Sequence, residues 1–316
     1  MGKSEIFLVT GGTGFIGSHI VNKLIKRNKN VKIVAKSDKY NWRLENKEDV
    51  DIAYMDITKY NDLKKYVMKI DPDYIIHLAA FVNNKRSLEV FDKNLEVNLI
   101  GTYNLLRALN NIDYKLFINT GSSEEYGIGE APFLEEKNEN PISPYSFSKT
   151  CATKLCNMFY NMYNKPIVTV RPFLVYGPKQ ISNMLIPELI RHGINKMELK
   201  LTKGEQTRDF VYVEDLVYAY LTILDHYSEI DRFEIFNVGL GYQVLIKDIV
   251  HIIADYFPNN KFRLGSMSYR KNEPKNFFSN IKKIEKLGWS PEISIETGIS
   301  KTVMWWKNHY REIFKK

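Results

Sequence analysis

Residues 7–17 read FLVTGGTGFIG, an apolar run followed at once by a glycine-rich heptapeptide. Gly12, Gly14 and Gly17 fit the spacing G-x-G-x-x-G, and the alternative G-x-x-G-x-x-G begins at Gly11. A strand that ends in such a turn and leads into an amphipathic helix is typical of a dinucleotide-binding unit. The glycines allow a tight turn, a close approach of the backbone to a pyrophosphate, and close packing of the helix on the strand. The stretch therefore predicts a cofactor site. The alternative is a tight turn that binds no ligand. It is disfavoured, because three glycines at this spacing cost conformational entropy on folding.

The first half of the chain alternates short apolar runs with helical patterns. The runs are continuous, as expected for parallel strands that are covered on both faces. They lie at 6–9, 31–35, 74–78, 116–119 and 167–170, and the helical patterns lie at 15–27, 59–69, 93–111 and 145–163. This alternation predicts an α/β fold built on a doubly wound parallel (Rossmann) sheet.

The pattern changes after residue 172, where Pro178, Pro187 and Gly193 interrupt it. The remaining patterns are a short strand at 199–201, a helix at 214–226, a strand at 234–238, and helices at 245–257 and 296–314. We expect a dinucleotide-binding domain over 1–172, to which 207–238 return. Residues 173–316 would form mainly a smaller, interleaved substrate-binding region.

Composition restricts the class of protein. The 316 residues are 44% hydrophobic and 26% charged, which is typical of a soluble globular protein. The net charge of +8 comes from scattered lysines rather than a basic block, so we expect no nucleic-acid partner, whereas an anionic small substrate fits. Cys151 and Cys156 match neither a zinc spacing nor a disulfide framework, so we expect no metal and a reducing compartment. With no long apolar run and a strand close to the first residue, we expect no membrane span, no signal peptide and a cytoplasmic location.

The end of the second predicted strand bears on the choice of dinucleotide. An acidic residue about 20 positions after the glycines would bind the adenosine ribose and favour NAD. Here the strand ends in Ala35, followed by Lys36 and Ser37, and Arg43 lies further along. These cations and the hydroxyl suit a 2′-phosphate. We therefore predict NADP(H) as the favoured cofactor, with NAD(H) as the alternative.

The segment PYSFSK at 144–149 places Tyr145 and Lys149 four residues apart, on one face of a helix. A nearby ammonium and an oxidised nicotinamide would both lower the pKa of the phenol, which is normally near 10. Tyr145 would then exchange a proton near neutral pH. The segment NTGSSEEYG at 119–127 follows the predicted strand at 116–119 and offers Ser122 and Ser123 as hydroxyls that hold the reacting oxygen.

These motifs occur together in the order known from one family. They are GGTGFIG, HLAA at 77–80, Asn98, the Ser122 segment, Tyr145 with Lys149, RPFLVYGP at 171–178, TRDFVYVEDL at 207–216 and SNIKKIEKLGWSP at 279–291. Over essentially its whole length the chain resembles the extended short-chain dehydrogenases/reductases that act on nucleotide-activated sugars. These enzymes include 4-epimerases, 4,6-dehydratases and 4-ketoreductases.

The resemblance implies a role for individual residues. Ser122, Tyr145 and Lys149 would be catalytic, Arg208 and Arg270 would bind the substrate diphosphate, and Ser123 and Asn183 would be further substrate contacts. Helices near 93–111 and 145–163 resemble those that pair in family homodimers. Motif and resemblance together predict the following cofactor-binding residues: Gly11, Thr13, Gly14, Phe15, Ile16, Gly17, Lys36, Ser37, Arg43, Asp56, Ile57, Leu78, Ala79, Ala80, Asn98, Tyr145 and Lys149.

The sequence departs from the family pattern at two places. Leu174 stands where many members have an asparagine, so one usual substrate hydrogen bond is missing. Dehydratases often carry Asp-Glu after the catalytic hydroxyl, and here the pair is Ser123-Glu124. Glu124 is either a catalytic acid–base in elimination or a structural acid at the edge of the pocket.

Three reactions fit these motifs. The absent carboxylate at Ala35 favours an NADPH-dependent reduction of the C4 keto group of a 4-keto-6-deoxy nucleotide sugar, and the stretch at 204–224 resembles the 4-ketoreductase branch of the family. An NAD-dependent 4-epimerase or 4,6-dehydratase is the alternative. A dinucleotide-binding sensor without chemistry is disfavoured, because Tyr145, Lys149 and both arginines are present.

Overall fold

The computed structural model describes residues 4–181, 183–230, 232–269 and 274–314. The strands are β1 (Ile6–Thr10), β2 (Asn30–Ala35), β3 (Asp51–Tyr54), β4 (Tyr74–His77), β5 (Leu116–Thr120), β6 (Ile167–Pro172), β7 (Leu174–Tyr176), β8 (Glu198–Lys200), β9 (Thr207–Arg208), β10 (Phe210–Tyr212), β11 (Glu234–Val238), β12 (Val244–Leu245), β13 (Lys261–Arg263) and β14 (Asn276–Phe277). The helices are α1 (Phe15–Lys26), α2 (Tyr60–Ile70), α3 (Leu88–Asn94), α4 (Gly101–Leu109), α5 (Pro144–Tyr163), α6 (Leu185–Asn195), α7 (Val213–Asp225), α8 (Ile246–Asp255), α9 (Lys282–Glu285) and α10 (Ile295–Phe314).

Seven parallel strands form the main sheet, in the order β11-β6-β5-β4-β1-β2-β3. The fold is therefore the predicted Rossmann-like α/β sheet. Val9 in the centre of the sheet pairs with Ile33 of β2 on one side and Ile76 of β4 on the other. Strand β11 returns from the second half of the chain and pairs with β6 at the edge of the sheet.

Helices cover both faces of this sheet. Helices α1 and α7 pack together on one face, over buried residues that include Ile20 and Leu221. Helices α2, α4 and α5 cover the other face, over residues that include Leu105 and Phe159. A third apolar cluster around Trp306 joins α6, α8 and α10 outside the sheet. The division into domains at residue 172 stays a prediction. Strand β11, from the second half of the chain, does join the main sheet.

Three local predictions need correction. Strand β3 was not predicted, because only Ile52 and Ala53 are half-buried between the exposed ends Asp51 and Tyr54, which is too short to read as an apolar run. The helix predicted over 93–111 begins at Leu88, capped by Ser87, and its middle, Leu95–Ile100, is π-helical. Pro187 does not interrupt helix formation, because it lies in the first turn of α6, where no N–H donor is needed.

The three small sheets lie in the second half of the chain. Strand β9, which carries Arg208, pairs with β12 and β14, and β8 pairs with β13, which confirms a strand near 199–201. Strand β10 pairs with β7 in a separate two-stranded parallel sheet. Among the residues described, no helix is long and apolar enough to cross a membrane.

Candidate active site

The glycine heptapeptide forms the predicted turn between β1 and α1. Gly11 has φ +71°, which favours glycine, and a methyl group on it would come within 2.8 Å of the Ala79 nitrogen. A methyl group on Gly17 would overlap the Gly11 carbonyl oxygen, so the packing of the chain itself requires this glycine. A methyl group on Gly14 would meet only that oxygen, at 3.0 Å. The packing of the chain therefore restricts position 14 less than position 17.

Helix α1 begins at Phe15 and Ile16 without a side-chain cap at Gly14. The first N–H groups of a helix have no partner within the helix, and together with the helix dipole they attract an anion. An uncapped helix end beside an uncrowded glycine fits the pyrophosphate of a dinucleotide. The residues present therefore fit the predicted cofactor.

Arg43 lies beside this loop but uses its guanidinium on the chain. It is buried, and it donates from Nε to the Lys179 carbonyl at 3.0 Å and from Nη1 to the Thr13 carbonyl at 3.4 Å. Its guanidinium also stacks over the ring of Trp42, which in turn stacks on Trp305 of α10. Arg43 thus joins the glycine loop to the second half of the chain, and a contact with a 2′-phosphate stays a prediction.

The end of β2 shows how the predicted adenosine contacts are arranged. Ala35 is buried, and Ser37 is exposed. Lys36 forms an ion pair with Asp56 at 2.8 Å, and the Thr58 N–H donates to the same carboxylate at 3.0 Å. Partial burial would raise the pKa of Asp56, but these two partners outweigh it and hold the pKa at about 2. Lys36 and Asp56, both predicted to bind the cofactor, therefore form an ion pair with each other in this structure.

The segment after β4 runs along the glycine loop. Residues 78–80 are half-buried, and the Ala79 N–H donates to the Thr10 hydroxyl at 3.3 Å. Asn98, in the π-helical turn, is buried and accepts from the Phe81 N–H at 2.7 Å. Its amide also donates to the Ser148 hydroxyl of α5 at 2.9 Å. Asn98 therefore fixes this segment against α5, and a direct contact with the cofactor stays a prediction.

Ile57, the neighbour of Asp56, is buried against Gly101 at the start of α4. A methyl group on Gly101 would come within 2.6 Å of the Ile57 side chain. This close contact packs α4 against the loop after β3, and a contact of Ile57 with the cofactor stays a prediction.

The predicted catalytic residues meet in one buried cluster. Ser143 caps α5, so Tyr145 lies in the first turn of the helix and Lys149 one turn later. The Ser122 hydroxyl lies beside the Tyr145 phenol, close enough to lower its pKa. The Lys149 ammonium donates to the Thr120 carbonyl at 2.7 Å. The sequence spacing thus brings together a phenol, an ammonium and a hydroxyl from two neighbouring elements.

Burial controls the proton affinity of this cluster. It raises the pKa of Tyr145, the charge of Glu124 adds to that rise, and the neighbouring Ser122 hydroxyl opposes it. Burial lowers the pKa of Lys149 to about 8, against the attraction of Glu125. In the chain alone burial therefore dominates, and the pKa of Tyr145 is raised. The lowering of that pKa by an ammonium together with an oxidised nicotinamide stays a prediction.

Glu124 lies at the edge of this cluster. It accepts a hydrogen bond from the Asn84 amide at 2.8 Å, and burial raises the pKa of its carboxyl. Its charge reaches Tyr145, which shows that the two groups are neighbours. Ser123, between Glu124 and Ser122, is buried. The catalytic and the structural interpretation of Glu124 both remain open at this point.

The predicted substrate contacts lie in the second half of the chain. Arg208 is half-buried on β9, and its Nη1 donates to the carbonyls of Thr207 at 2.8 Å and Pro274 at 3.0 Å. Asn183 is exposed just before α6, and Leu174 opens β7. Arg270 lies outside the described residues. Of the predicted substrate contacts that the structure describes, Arg208 is therefore the cation with a defined orientation.

Several buried polar residues around the site were not predicted. His77 bridges the hydroxyls of Thr10 at 2.6 Å and Thr102 at 2.9 Å, and burial lowers its pKa to about 3. Asp209, beside Arg208, accepts from the Leu240 N–H at 2.6 Å. His77 belongs to the motif HLAA and Asp209 to the motif TRDFVYVEDL. The motifs therefore pointed to both residues, but their spacing did not show which groups these side chains contact.

The sequence profile of the NAD dependent epimerase/dehydratase family matches residues 7–239. The chain belongs to this family. A putative UDP-glucose 4-epimerase of Methanocaldococcus jannaschii is 32% identical over 97% of this chain and 100% of its own length. A UDP-glucuronate 4-epimerase of Thermodesulfobacterium geofontis is 32% identical over 96% of both chains. A dTDP-glucose 4,6-dehydratase of Shigella flexneri is 30% identical over 95% of this chain and 92% of its own.

Solved structures show the same architecture. An epimerase from Methanothermobacter thermautotrophicus has a TM-score of 0.91 at 28% identity, covering 99% of this chain and 95% of its own. The UDP-glucuronic acid 4-epimerase of Bacillus cereus, solved with UDP-glucuronic acid and NAD, has a TM-score of 0.89 at 28% identity, covering 96% and 100%. These relatives favour the epimerase or dehydratase alternative over the 4-ketoreductase. Their cofactor gives no support to the predicted preference for NADP(H).

Proposed function

We propose that this protein is a nucleotide-sugar 4-epimerase in which Tyr145 moves the proton of the C4 hydroxyl. The observation that carries the proposal is the buried cluster in which the Ser122 hydroxyl meets the Tyr145 phenol, with Lys149 one turn along α5. Its two relatives at 32% identity over nearly the whole chain bear 4-epimerase names, which supports epimerisation among the reactions that such a cluster serves.

The cluster can supply acid and base in turn. A bound nicotinamide would take a hydride from C4 and return it to the opposite face of the sugar. In the first half-reaction Tyr145, as phenolate, takes the proton of the C4 hydroxyl, and in the second it gives the proton back to the same oxygen. The Ser122 hydroxyl stabilises the phenolate by donating to it. The Thr120 carbonyl fixes the Lys149 ammonium, whose pKa of about 8 keeps it charged at neutral pH.

The substrate is a sugar carried on a nucleoside diphosphate. Arg208 supports this class, because two backbone carbonyls hold its guanidinium in one orientation on β9. A planar guanidinium forms bidentate, charge-assisted bonds with phosphate oxygens. Asn183 and Ser123 are proposed as further contacts, and Arg270 as a second diphosphate ligand.

The test is turnover in D2O against a panel of nucleoside diphosphate sugars, followed by mass spectrometry and NMR. A 4-epimerase interconverts two sugars of unchanged mass and leaves the dinucleotide unconsumed. Loss of water with incorporation of solvent deuterium identifies a dehydratase. Stoichiometric consumption of NADPH identifies the 4-ketoreductase, and no turnover of any sugar with either dinucleotide contradicts all three.

A 4,6-dehydratase is the second candidate, because Glu124 is a half-buried carboxyl beside Tyr145 with a raised pKa. Such a group can take the C5 proton and protonate the leaving C6 hydroxyl. Glu124→Gln then separates the two activities. It should abolish water loss in a dehydratase, whereas it should leave 4-epimerisation within about tenfold of the wild-type rate, because that reaction breaks no C5–H bond.

The cofactor is a separate proposal, because the 2′-phosphate lies at the end of the dinucleotide far from the nicotinamide. We propose NAD(H) as the working cofactor and weak discrimination against NADP(H). Two of the three predicted 2′-phosphate ligands are engaged: Lys36 pairs with Asp56, and Arg43 donates to backbone carbonyls. No carboxylate excludes the phosphate, however, because β2 ends in Ala35.

Ala35→Asp tests this choice. A carboxylate there should accept hydrogen bonds from the ribose hydroxyls and repel a 2′-phosphate, so NADP(H) binding should weaken by about tenfold or more relative to NAD(H). The measurement is calorimetric affinity for both dinucleotides. An unchanged affinity ratio contradicts the placement of the adenosine ribose at residue 35.

We also propose a homodimer formed through α4 and α5. Large apolar side chains are exposed along these helices and the π-helical turn, and on α5 they recur at helical spacing. They are Ile100, Tyr103, Phe147, Met158 and Met162. Such a stripe on a single chain is typical of a surface that a partner covers.

A further inference from the structure

A completely buried ion pair lies beneath the turn that carries Ser122. The Arg171 and Glu125 side chains are both 0% exposed, and the guanidinium contacts Glu125 Oε2 from Nε at 3.0 Å and from Nη2 at 2.9 Å. Arg171 Nη2 also contacts Glu139 at 2.7 Å, and the guanidinium lies 4.6 Å from the centre of the Tyr126 ring. The pair is thus locked between β6 and the turn at Ser123–Tyr126.

The second oxygen of Glu125 reaches the catalytic segment. Oε1 accepts a hydrogen bond from the Ser122 N–H at 2.7 Å, and the Ser122 hydroxyl accepts from the Glu124 N–H at 3.1 Å. The preceding residue, Gly121, leaves no room for a side chain, because a methyl group there would overlap Glu125 Oε1. The carboxylate therefore presses directly on the backbone of residues 121 and 122.

The backbone of residues 120–122 lies beside both members of the Tyr145/Lys149 pair. On one side of Gly121 the Ser122 hydroxyl meets Tyr145, and on the other side the Thr120 carbonyl holds the Lys149 ammonium at 2.7 Å. A shift of the segment by a fraction of an ångström would misplace both contacts at once.

We infer that Glu125, locked by Arg171, is a positioning residue that holds residues 120–122 so that Ser122 and Lys149 both stay aligned with Tyr145. The inference rests on the proposed function for its rate effect. It assigns to Glu125 no contact with substrate or cofactor.

Stability alone does not require this pair. Burying two charges is expensive, and replacing a buried ion pair with apolar residues of similar volume is often neutral or stabilising. Removing one partner alone strands a buried charge and destabilises the protein. The informative variant therefore changes both residues, Glu125→Leu with Arg171→Met. The space of the pair then stays filled, Glu139 keeps Lys154 as its partner, and the Ser122 N–H loses its acceptor.

Glu139→Gln is the matched control. Glu139 also contacts Arg171, but it is an outer partner that is shared with Lys154 at 2.7 Å and makes no contact with Ser122. We expect the double variant to lower kcat by about 10- to 100-fold with KM within about threefold, since small misplacements in a catalytic site cost up to about 100-fold. The control should stay within about threefold in both constants. A wild-type kcat in the folded double variant overturns the inference.

Coupling to Ser122 distinguishes positioning from a general structural defect. In a Ser122→Ala background the double substitution should cost much less in kcat than in the wild type, because the hydroxyl that it misplaces is already gone. Equal fold-losses in the two backgrounds contradict the inference.

Amide hydrogen exchange gives a readout that does not depend on the reaction. Exchange at Ser122 should accelerate at least about tenfold in the double variant and stay unchanged in Glu139→Gln. If the wild type turns over no nucleotide sugar, the proposed function fails, and this exchange experiment still decides the positioning role. Unchanged exchange at Ser122 in the double variant refutes it.

Discussion

Gly14 and Gly17 belong to one motif, yet the structure gives them different reasons to be glycine. Substitution by alanine should therefore damage different properties. Gly14 has extended backbone angles, φ −67° and ψ 177°, that any residue adopts, and its added methyl group would meet only the Gly11 oxygen at 3.0 Å. The methyl group on Gly17 would overlap backbone atoms that cannot rotate away, with the Gly12 Cα at 2.9 Å.

The expected magnitudes follow from these contacts. Overpacking costs about 1–3 kcal/mol, and alanine in a helix returns less than about 1 kcal/mol, so Gly17→Ala should lower the free energy of unfolding by about 1–2 kcal/mol. With an unfolding entropy of about 2.1 cal/mol/K per residue, a chain of 316 residues loses about 1.5 °C in Tm per kcal/mol. Gly14→Ala should stay within about 1 °C of wild type, because its small strain is offset by the lower entropy of the unfolded chain.

Cofactor binding should reverse this order. The methyl group of Gly14→Ala would occupy the face that the chain leaves uncrowded, where a pyrophosphate would approach. Losing one hydrogen bond to a charged group costs about 1.5–3 kcal/mol, which corresponds to about 10- to 150-fold weaker binding. Thermal unfolding without cofactor and calorimetry with NAD(H) measure the two effects. Wild-type affinity in Gly14→Ala, or equal destabilisation by both substitutions, would refute the reasoning.

Three further outcomes are expected. Tyr145→Phe should lower kcat by at least about 100-fold while dinucleotide affinity, measured by calorimetry, changes less than about threefold; near wild-type turnover contradicts the mechanism. His77 should make the stability of the protein sensitive to acid. In the unfolded chain its pKa is near 6.5, so it is protonated below that pH, whereas in the folded chain burial holds its pKa at about 3 and the ring stays neutral. The contribution of His77 to the free energy of unfolding is full above pH 6.5 and falls by about 2 kcal/mol between pH 7 and pH 5. Urea unfolding at several pH values measures this fall, which should be absent in His77→Asn. Met162→Glu, at a methionine that is 61% exposed on α5, should give monomers in light scattering, whereas Met68→Glu, 58% exposed on α2, should not; dimers in both variants contradict the proposed interface.

The sequence predicted elements that depend on neighbouring residues better than features that depend on pairing between distant segments. The β1–turn–α1 unit was predictable because its apolar run, glycines and helix are contiguous, and the buried central strands were predictable because they are continuous apolar runs. Strand β3 was missed because it offers only two half-buried apolar residues, Ile52 and Ala53, one packed on each face of the sheet. Helix α6 was missed because Pro187 was interpreted as an interruption, whereas the first turn of a helix accepts proline.

The site showed the same contrast. The spacing of Tyr145 and Lys149 predicted a shared face, and the structure shows both in one cluster with Ser122. The partners of charged residues were not predictable, because they come from distant segments: Lys36 pairs with Asp56, and Glu125 pairs with Arg171. The rise in the pKa of Tyr145 was also hidden, since spacing reveals a neighbouring ammonium and says nothing of burial.

The position of β11 has a consequence for synthesis on the ribosome. All six residues of β6 are buried, and its outer edge is hydrogen-bonded by β11, residues 234–238, which emerge much later. Until then β6 presents an unpaired apolar edge, the kind of surface on which nascent chains associate with one another. A fragment ending at residue 172 should therefore aggregate when expressed alone. The seven-stranded sheet, whose first six strands end at residue 172, is complete only after residues 234–238 have been made.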